Sequence, residues 1–146
     1  MMTDSVQLVE KAIALAVEAH AGEVDKAGMP YILHPLHLMM QMETAEEMIT
    51  AVLHDVIEDT PITLDDLRQQ GFPEVVLDAL ALLTHDTAST SYEDYVAAIK
   101  PNPLARKVKL ADLAHNMDIR RLPQVREKDV QRLQKYRRAW DFLQSE

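Results

Sequence analysis

The 146-residue sequence contains no cysteine and only three glycines. Without cysteine there can be no disulfide bonds or thiolate metal sites, so any metal would be held by histidine, carboxylate and water. So few glycines disfavour long flexible linkers, and no apolar run approaches the roughly 18 residues that a membrane-spanning helix needs. Residues 1–20 lack the basic start of a signal peptide. We therefore expect a cytoplasmic protein that does not enter membranes, with one domain over residues 1–146.

Charge is distributed unevenly along the chain. The net charge is −9, with 3 Lys+Arg against 18 Asp+Glu in residues 1–99 and 12 against 6 in residues 100–146. The overall negative sign disfavours a nucleic-acid polymer as partner. The asymmetry is compatible with a cation-binding N-terminal part and an anion-attracting C-terminal part, while solvated helix faces are the simpler interpretation for most of these charges. The sequence does not fix the oligomeric state.

Helix signals dominate, and β-type alternation is nearly absent. Thr44 with Glu47 predicts a capping box before a helix over residues 45–59, and Thr90 with Glu93 predicts another helix start. Further helices are predicted over residues 4–20, 31–42, 63–71, 73–83 and 102–123 and near the C-terminus. The prediction is an all-α fold with seven or eight helices.

Ionisable residues interrupt the apolar helix predicted over residues 45–59. The segment AVLHDVIEDT, residues 51–60, places His54, Asp55, Glu58 and Asp59 where burial of unpaired charge would be costly. The last two lie at the helix C-terminus, where the macrodipole favours cations. A bound cation would remove both penalties. The alternative is a helix with exposed acids at its end and one histidine in the core.

Two other segments place ionisable groups on apolar faces. His34 lies at a predicted helix start, and alone it would more often be a capping or packing histidine. Asp112 shares a face with Val108 and Ile119, which should be buried. Two imidazoles and two carboxylates from three helices would suit Mn²⁺, Fe²⁺ or Zn²⁺ with positions left for water. The candidate ligands are His34, His54, Asp55 and Asp112.

The order His, His-Asp, Asp resembles the pattern of the HD phosphohydrolase superfamily. Three longer segments resemble the hydrolase domain of the RelA/SpoT family and of similar stand-alone small alarmone hydrolases, including the metazoan SpoT homologue. The segments are AHAGEVDKAGMPYILHPL, AVLHDVIEDT and KLADLAHNM, and the similarity covers about residues 5–120. The resemblance implies an HD-domain helical bundle that hydrolyses a phosphorylated nucleotide.

The resemblance also implies roles for individual residues. The family's metal ligands, usually with Mn²⁺, fall on His34, His54, Asp55 and Asp112. Its catalytic acidic pair, which activates or orients the attacking water, falls on Glu58 and Asp59. Positions that border or contact the nucleotide fall on Lys26, Tyr31 and Asn116. Other candidate phosphate contacts are Arg106, Lys107, Lys109, Arg120 and Arg121, whereas no role is implied for His20, His37, His85 and His115.

The expected substrate surface departs from the family pattern. Family members commonly read Gly-Gln-x-Arg-Lys where this chain has Gly22-Glu23-Val24-Asp25-Lys26, so Asp25 replaces an arginine able to stack on a base. Leu113 likewise follows Asp112 in place of arginine, and Asp118 and Ile119 replace basic and hydroxyl residues. The candidate metal ligands and the Glu58–Asp59 pair, by contrast, match the family pattern.

Three hypotheses follow from this pattern. The first is a metal-dependent (p)ppGpp 3′-pyrophosphohydrolase that releases pyrophosphate and GDP or GTP. The second is the same chemistry on another phosphorylated nucleotide or cofactor, as the replacement at Asp25 suggests. The third is a non-catalytic module that binds a nucleotide and holds metal only for structure.

Overall fold

The computed structural model describes residues 2–146, with side chains from Asp4 onward. Within that range the chain forms nine α-helices, a 3₁₀ helix at Ile119–Arg121 and an isolated β-bridge between Val24 and Pro30. The α-helices are α1 Met2–Ala19, α2 Leu33–Met40, α3 Ala45–Leu53, α4 Val56–Asp59, α5 Leu64–Gln69, α6 Glu74–Leu83, α7 Tyr92–Ile99, α8 Pro103–Asn116 and α9 Glu127–Gln144. Counting α3 and α4 as one bent helix gives eight, so the predicted all-α fold is confirmed. None of the helices described is long and apolar enough to span a membrane.

The helix predicted over residues 45–59 is broken at His54 and Asp55. The Thr44–Glu47 capping box forms at its start as predicted, with the Glu47 amide donating to Thr44 Oγ1 over 3.2 Å. At the break, the His54 ring places Nδ1 2.7 Å from the Ala51 carbonyl oxygen. Because the side chain occupies the carbonyl that a continuing helix would use, the backbone turns and restarts as α4.

The start of α7 differs from the prediction by one residue. Ser91, not Thr90, is the N-cap, and its hydroxyl accepts a hydrogen bond from the Asp94 amide over 3.1 Å. The Thr90 backbone is already engaged in the preceding loop, where its amide donates to the Asp86 carbonyl over 3.0 Å. The prediction of Thr90 with Glu93 was therefore wrong, because Thr90 belongs to the preceding loop and the helix begins one residue later.

The helix predicted over residues 102–123 starts correctly and ends early. The Asn102 side chain caps α8 by accepting from the Ala105 amide over 3.0 Å, with Pro103 in the first turn. The helix stops at Asn116, because the Asp118 carboxylate accepts from the Arg120 amide and begins the 3₁₀ helix. Ile119 thereby lies outside the helical face and is 52% exposed, so its predicted burial was wrong.

Two apolar clusters hold the helices together. One lies among α6, α7, α8 and α9, and the other lies among α1, α3, α5 and α6. Helix α3 packs against α1, α2, α6 and α8. The break after α3 therefore lies deep between the clusters, next to α2 and α8, and this position brings together the polar groups described next.

Candidate active site

Three elements bring His34, His54 and Asp112 into one buried cluster. His34 lies in the first turn of α2, His54 at the break after α3, and Asp112 in the middle of α8. Each of the three residues is at most 7% exposed. One potential ligand atom from each lies within 4.8 Å of the others. This histidine and aspartate cluster could hold a divalent metal ion.

The hydrogen bonding of His54 fits a metal ligand. Its Nδ1 faces the Ala51 carbonyl oxygen at 2.7 Å, which favours the tautomer that carries the proton on Nδ1. Its Nε2 lies 2.9 Å from Asp55 Oδ2 and 3.5 Å from Asp112 Oδ1, yet it makes no well-directed hydrogen bond and is buried. Burial opposes the charged form of His54, but the Asp55 and Asp112 carboxylates raise the pKa of His54 well above its usual value. A divalent cation bound among these groups would therefore take the place of the proton on Nε2.

Asp55, the fourth predicted ligand, borders the cluster through His54. Its carboxylate also accepts a short hydrogen bond from the Tyr31 hydroxyl. Burial raises the pKa of the Tyr31 hydroxyl, and the Asp55 carboxylate raises it further, so this hydroxyl remains a donor. Tyr31, predicted to border the substrate, therefore also fixes the orientation of a predicted metal ligand.

The Asp112 carboxylate accepts hydrogen bonds from three neighbouring side chains. It accepts from His34 Nε2 over 2.8 Å, from Lys109 Nζ over 3.0 Å and from Asn116 Nδ2 over 3.0 Å. Burial alone would raise its pKa, but the Lys109 ammonium and the two imidazoles outweigh burial and hold the pKa well below its usual value. Asp112 is therefore an anion at neutral pH. Asn116, predicted to contact the nucleotide, orients this anion directly.

The predicted catalytic acids Glu58 and Asp59 lie at the end of α4 but face different surroundings: Glu58 lines the inner of the two cavities described below, whereas Asp59 lines neither cavity and lies near His20 and Glu23. Glu58 is held in place because the His85 backbone amide donates to its Oε1 over 2.8 Å. Partial burial raises the pKa of Asp59 to about 6, with the carboxylates of Asp55, Glu58 and Glu23 contributing. A carboxyl group with such a pKa can exchange a proton near neutral pH.

Two adjoining cavities open on the cluster. The inner cavity, about 240 Å³, is lined by groups that include His54, Glu58, Lys109, Asp112 and Lys135. The outer cavity, about 260 Å³, is lined by groups that include Lys26, Asp25 and Arg121. Tyr31, His34, Asn116 and Tyr136 line both cavities, so the two form one cleft, with His54 and Asp112 lining only its inner part.

The structure separates the five basic candidates. Lys109 faces the inner cavity and Arg121 the outer one. The other three point elsewhere: Lys107 pairs with Glu43 and Glu47, Arg120 with Asp118, and Arg106 donates to the Ser145 carbonyl oxygen. The signal for Lys109 was its position three residues before Asp112, which places both on one side of α8.

Two further histidines support the cluster, although the sequence implied no role for them. The His115 ring stacks on His34, with its Nδ1 2.7 Å from His34 Nδ1, and it also stacks on His37 at 3.9 Å. Burial lowers the pKa of His115 to about 4, with Arg121 contributing, so His115 is neutral at pH 7. The signal was the spacing of His115 three residues after Asp112.

The chain is similar to proteins of known activity over most of its length. No model of a known protein family matches it. It is 32% identical over 127 residues to the bifunctional (p)ppGpp synthase/hydrolase SpoT of Escherichia coli K12, a match that covers 78% of this chain and 18% of that protein. It is 34% identical over 116 residues to the guanosine-3′,5′-bis(diphosphate) 3′-pyrophosphohydrolase of Haemophilus influenzae, covering 70% of this chain and 17% of that protein. The chain thus spans less than a fifth of the length of these relatives.

A solved structure with the same fold comes from a metazoan orthologue of SpoT, described as hydrolysing ppGpp and acting in starvation responses. The TM-score is 0.75, the sequence identity is 19%, and the match covers 94% of this chain and 86% of that one. At this identity the likeness establishes the arrangement of helices, while the curated relatives establish kinship in sequence. The chain therefore belongs to the RelA/SpoT hydrolase family, and its helices form the HD-type bundle of that family.

Proposed function

We propose that the domain over residues 1–146 is a metal-dependent (p)ppGpp 3′-pyrophosphohydrolase. The observation that supports this proposal most is the buried cluster of His34, His54 and Asp112 in a cleft whose lining includes the cations Lys26, Lys109, Arg121 and Lys135. The names of the curated relatives support the same reaction. Water would attack the phosphorus joined to the 3′ oxygen, and the bond between them would break. The 3′ oxygen would take up a proton, giving GDP or GTP and pyrophosphate.

The residues that would hold the metal are His34, His54, Asp55 and Asp112, and we propose Mn²⁺ as the ion. Nitrogen and carboxylate donors without sulfur suit such a borderline-to-hard cation. When bound, a divalent cation here would polarise the phosphate and lower the pKa of a water molecule. Tyr31 would keep Asp55 turned toward the cluster through its hydrogen bond, and Asn116 would do the same for Asp112.

The proton chemistry falls to Glu58 and Asp59. The Glu58 carboxylate is fixed by the His85 amide and lines the inner cavity, so it can orient the attacking water. Asp59, whose pKa is raised to about 6, is mostly ionised at pH 7 and can accept the proton that this water loses.

The cations of the cleft suit a substrate that carries phosphates at both ends. Lys109 and Lys135 line the inner cavity, where they would neutralise the 3′ diphosphate that is released as pyrophosphate. Tyr92 lines the same cavity, and its hydroxyl is buried without a hydrogen-bond partner within residues 4–146. Lys26 and Arg121 line the outer cavity, which would take the rest of the nucleotide.

One observation favours a second candidate, the same hydrolysis on another phosphorylated nucleotide or cofactor. Asp25 occupies the position of the family's usual arginine and lines the outer cavity. Its Oδ1 accepts from the Ala27 and Met29 amides, each over 2.9 Å, and its Oδ2 lies 4.0 Å from Arg121. These contacts fix the loop with the Asp25 carboxylate at the position where most family members have an arginine that can stack on a nucleobase. The identity of the nucleobase that this cavity accepts decides between the two candidate substrates.

A panel of nucleotides tests the proposal directly. Pyrophosphate and phosphate release would be measured from ppGpp, pppGpp, GTP, ATP and NADPH, each with Mn²⁺ and with chelator. We expect Mn²⁺-dependent release of pyrophosphate from ppGpp and pppGpp. Glu58→Gln should retain its metal and lose activity by about 100-fold or more, because a positioned acid or base contributes about 10² to 10⁴ in rate. Preference for another nucleotide would favour the second candidate. No turnover in metal-loaded protein would refute both and favour a binding module.

The pH profile tests the role of Asp59. A base must be ionised to accept a proton, so kcat/KM at one equivalent of Mn²⁺ should fall as pH drops below about 6, the pKa of Asp59. Above this pH the profile should level off. Asp59→Asn should lower kcat/KM and abolish this acid limb, while Asp78→Asn, an exposed change on α6, should keep it. An unchanged limb in Asp59→Asn would show that another group titrates.

A further inference from the structure

A second group of potential ligands lies outside the cluster already described. His20 directly follows α1, Glu23 lies in the loop after it, and Asp59 ends α4. One potential ligand atom from each lies within 4.8 Å of the others. His20 is buried, Glu23 is half-buried and Asp59 is exposed, so the group is anchored in the protein and open to water on one side.

The His20 imidazole is not satisfied by its protein neighbours. It is 2% exposed, and its Nδ1 lies 3.2 Å from Glu23 Oε2. Its Nε2 has no hydrogen-bond partner anywhere in the described part of the chain. The ring contacts Tyr31 at 5.0 Å between centroids, an apolar contact that supplies no partner for this nitrogen. The nitrogen that faces a carboxylate is Nδ1, and a buried imidazole with this nitrogen beside Glu23 and near Asp59 has the character of a ligand rather than of a packing residue.

Over residues 4–146, the carboxylates that act on Asp59, and Asp59 itself, have no lysine or arginine partner. Among the side chains from Asp4 to Glu146, no lysine or arginine forms an ion pair with Glu23, Asp55, Glu58 or Asp59. The first metal position would neutralise Asp55 but would leave the other three. Crowded carboxylates without a cation repel one another, and a cation bound among them would relieve this repulsion.

We propose that His20, Glu23 and Asp59 form a second site for a first-row divalent cation, separate from the His34–His54–Asp112 cluster. One imidazole and two carboxylates are donors suited to Mn²⁺ or Zn²⁺, with water in the remaining positions. Glu23 is the decisive residue, because glutamine, the family's common residue at this position, would keep the shape and remove the anionic donor. The site shares Asp59 with the proposed proton chemistry, so Asp59 could act as a base only while this second site is empty. Cation binding itself does not depend on which nucleotide is hydrolysed.

Metal counting tests the site without any measurement of activity. The full-length chain would be dialysed against Mn²⁺, bound manganese measured by mass spectrometry, and free Mn²⁺ followed by electron paramagnetic resonance. We expect two Mn²⁺ per chain, one per chain in Glu23→Gln and one in Asp112→Asn. In Glu23→Gln the affinity for the second Mn²⁺ should fall on the order of 100-fold, because losing even a residue that only orients a metal ligand typically costs about 10- to 100-fold in metal affinity. Glu18→Gln, an exposed acid on α1, should still bind two.

The possible results separate this proposal from the proposed function. One Mn²⁺ in the wild type that disappears in Asp112→Asn would overturn the second site and leave the hydrolase intact. Two Mn²⁺ in Glu23→Gln would also overturn it, provided that the circular dichroism of this variant matches the wild type. Two in the wild type and one in Glu23→Gln would support the site whether or not any nucleotide in the panel is hydrolysed.

Discussion

Asp112→Asn should lose metal binding at the His34–His54–Asp112 cluster and, with it, at least about 10³-fold in turnover. Asparagine keeps the volume but removes the negative charge that faces His34 Nε2 at 2.8 Å and Lys109 Nζ at 3.0 Å. A metal acting as Lewis acid contributes several kcal/mol to transition-state stabilisation, and about 1.4 kcal/mol corresponds to tenfold in rate. Turnover of the best nucleotide from the panel, measured with the metal content, checks this result.

The matched control for this change is Asp78→Asn. Asp78 is exposed on α6, so the same chemical change there should leave metal content and turnover as in the wild type. Circular dichroism would verify that Asp112→Asn is folded. Full metal content with normal turnover in Asp112→Asn would contradict the assignment of this carboxylate as a ligand, whatever the substrate proves to be.

Much of the fold could be predicted because local signals and burial agree. The Thr44–Glu47 capping box and the Asn102-Pro103 start depend on side chains that contact their own helix, so the sequence contains all the information they need. The predicted ligands were recognisable for a related reason. An aspartate on the apolar face of α8 and a histidine directly after the buried residues of α3 conflict with their surroundings, and such conflicts are typical of functional sites. Their roles remain predictions.

The errors in the prediction come from contacts that the sequence does not specify. Thr90 and Ser91 are adjacent hydroxyl residues that both satisfy the capping rule, and only the loop contact between Thr90 and Asp86 distinguishes them. No proline or glycine marks the break at His54, because it depends on the contact of its ring with the Ala51 carbonyl. The proximity of His20 to Asp59 could not be predicted either, since the two lie 39 positions apart in the sequence and approach each other only in the folded chain.

Lys109→Met should lower the stability of the metal-free protein by about 3 kcal/mol and tighten its binding of Mn²⁺. Lys109 donates to Asp112 over 3.0 Å inside the protein, with its ammonium 5.2 Å from the centre of the Tyr95 ring. Removing one partner of a buried ion pair costs about 3 to 5 kcal/mol, and the lower end applies because His34 and Asn116 still contact Asp112. The same ammonium repels a divalent cation bound to Asp112, so its loss should strengthen Mn²⁺ binding by about tenfold or more.

Thermal unfolding with and without Mn²⁺ separates these two effects. For a domain of this size, a loss of 3 kcal/mol corresponds to a fall in Tm of about 10 °C. Mn²⁺ at about 100 times its Kd adds about 2.7 kcal/mol and should restore most of that fall. Lys107→Met is the control, because Lys107 forms only surface ion pairs with Glu43 and Glu47, worth about 0 to 1 kcal/mol.

Turnover of Lys109→Met should stay about 100-fold low even when metal-loaded, because the inner cavity has lost the cation that would face the 3′ diphosphate of the substrate. An unchanged Tm without metal would show that Asp112 does not need this partner, and normal turnover would remove Lys109 from the proposed diphosphate site.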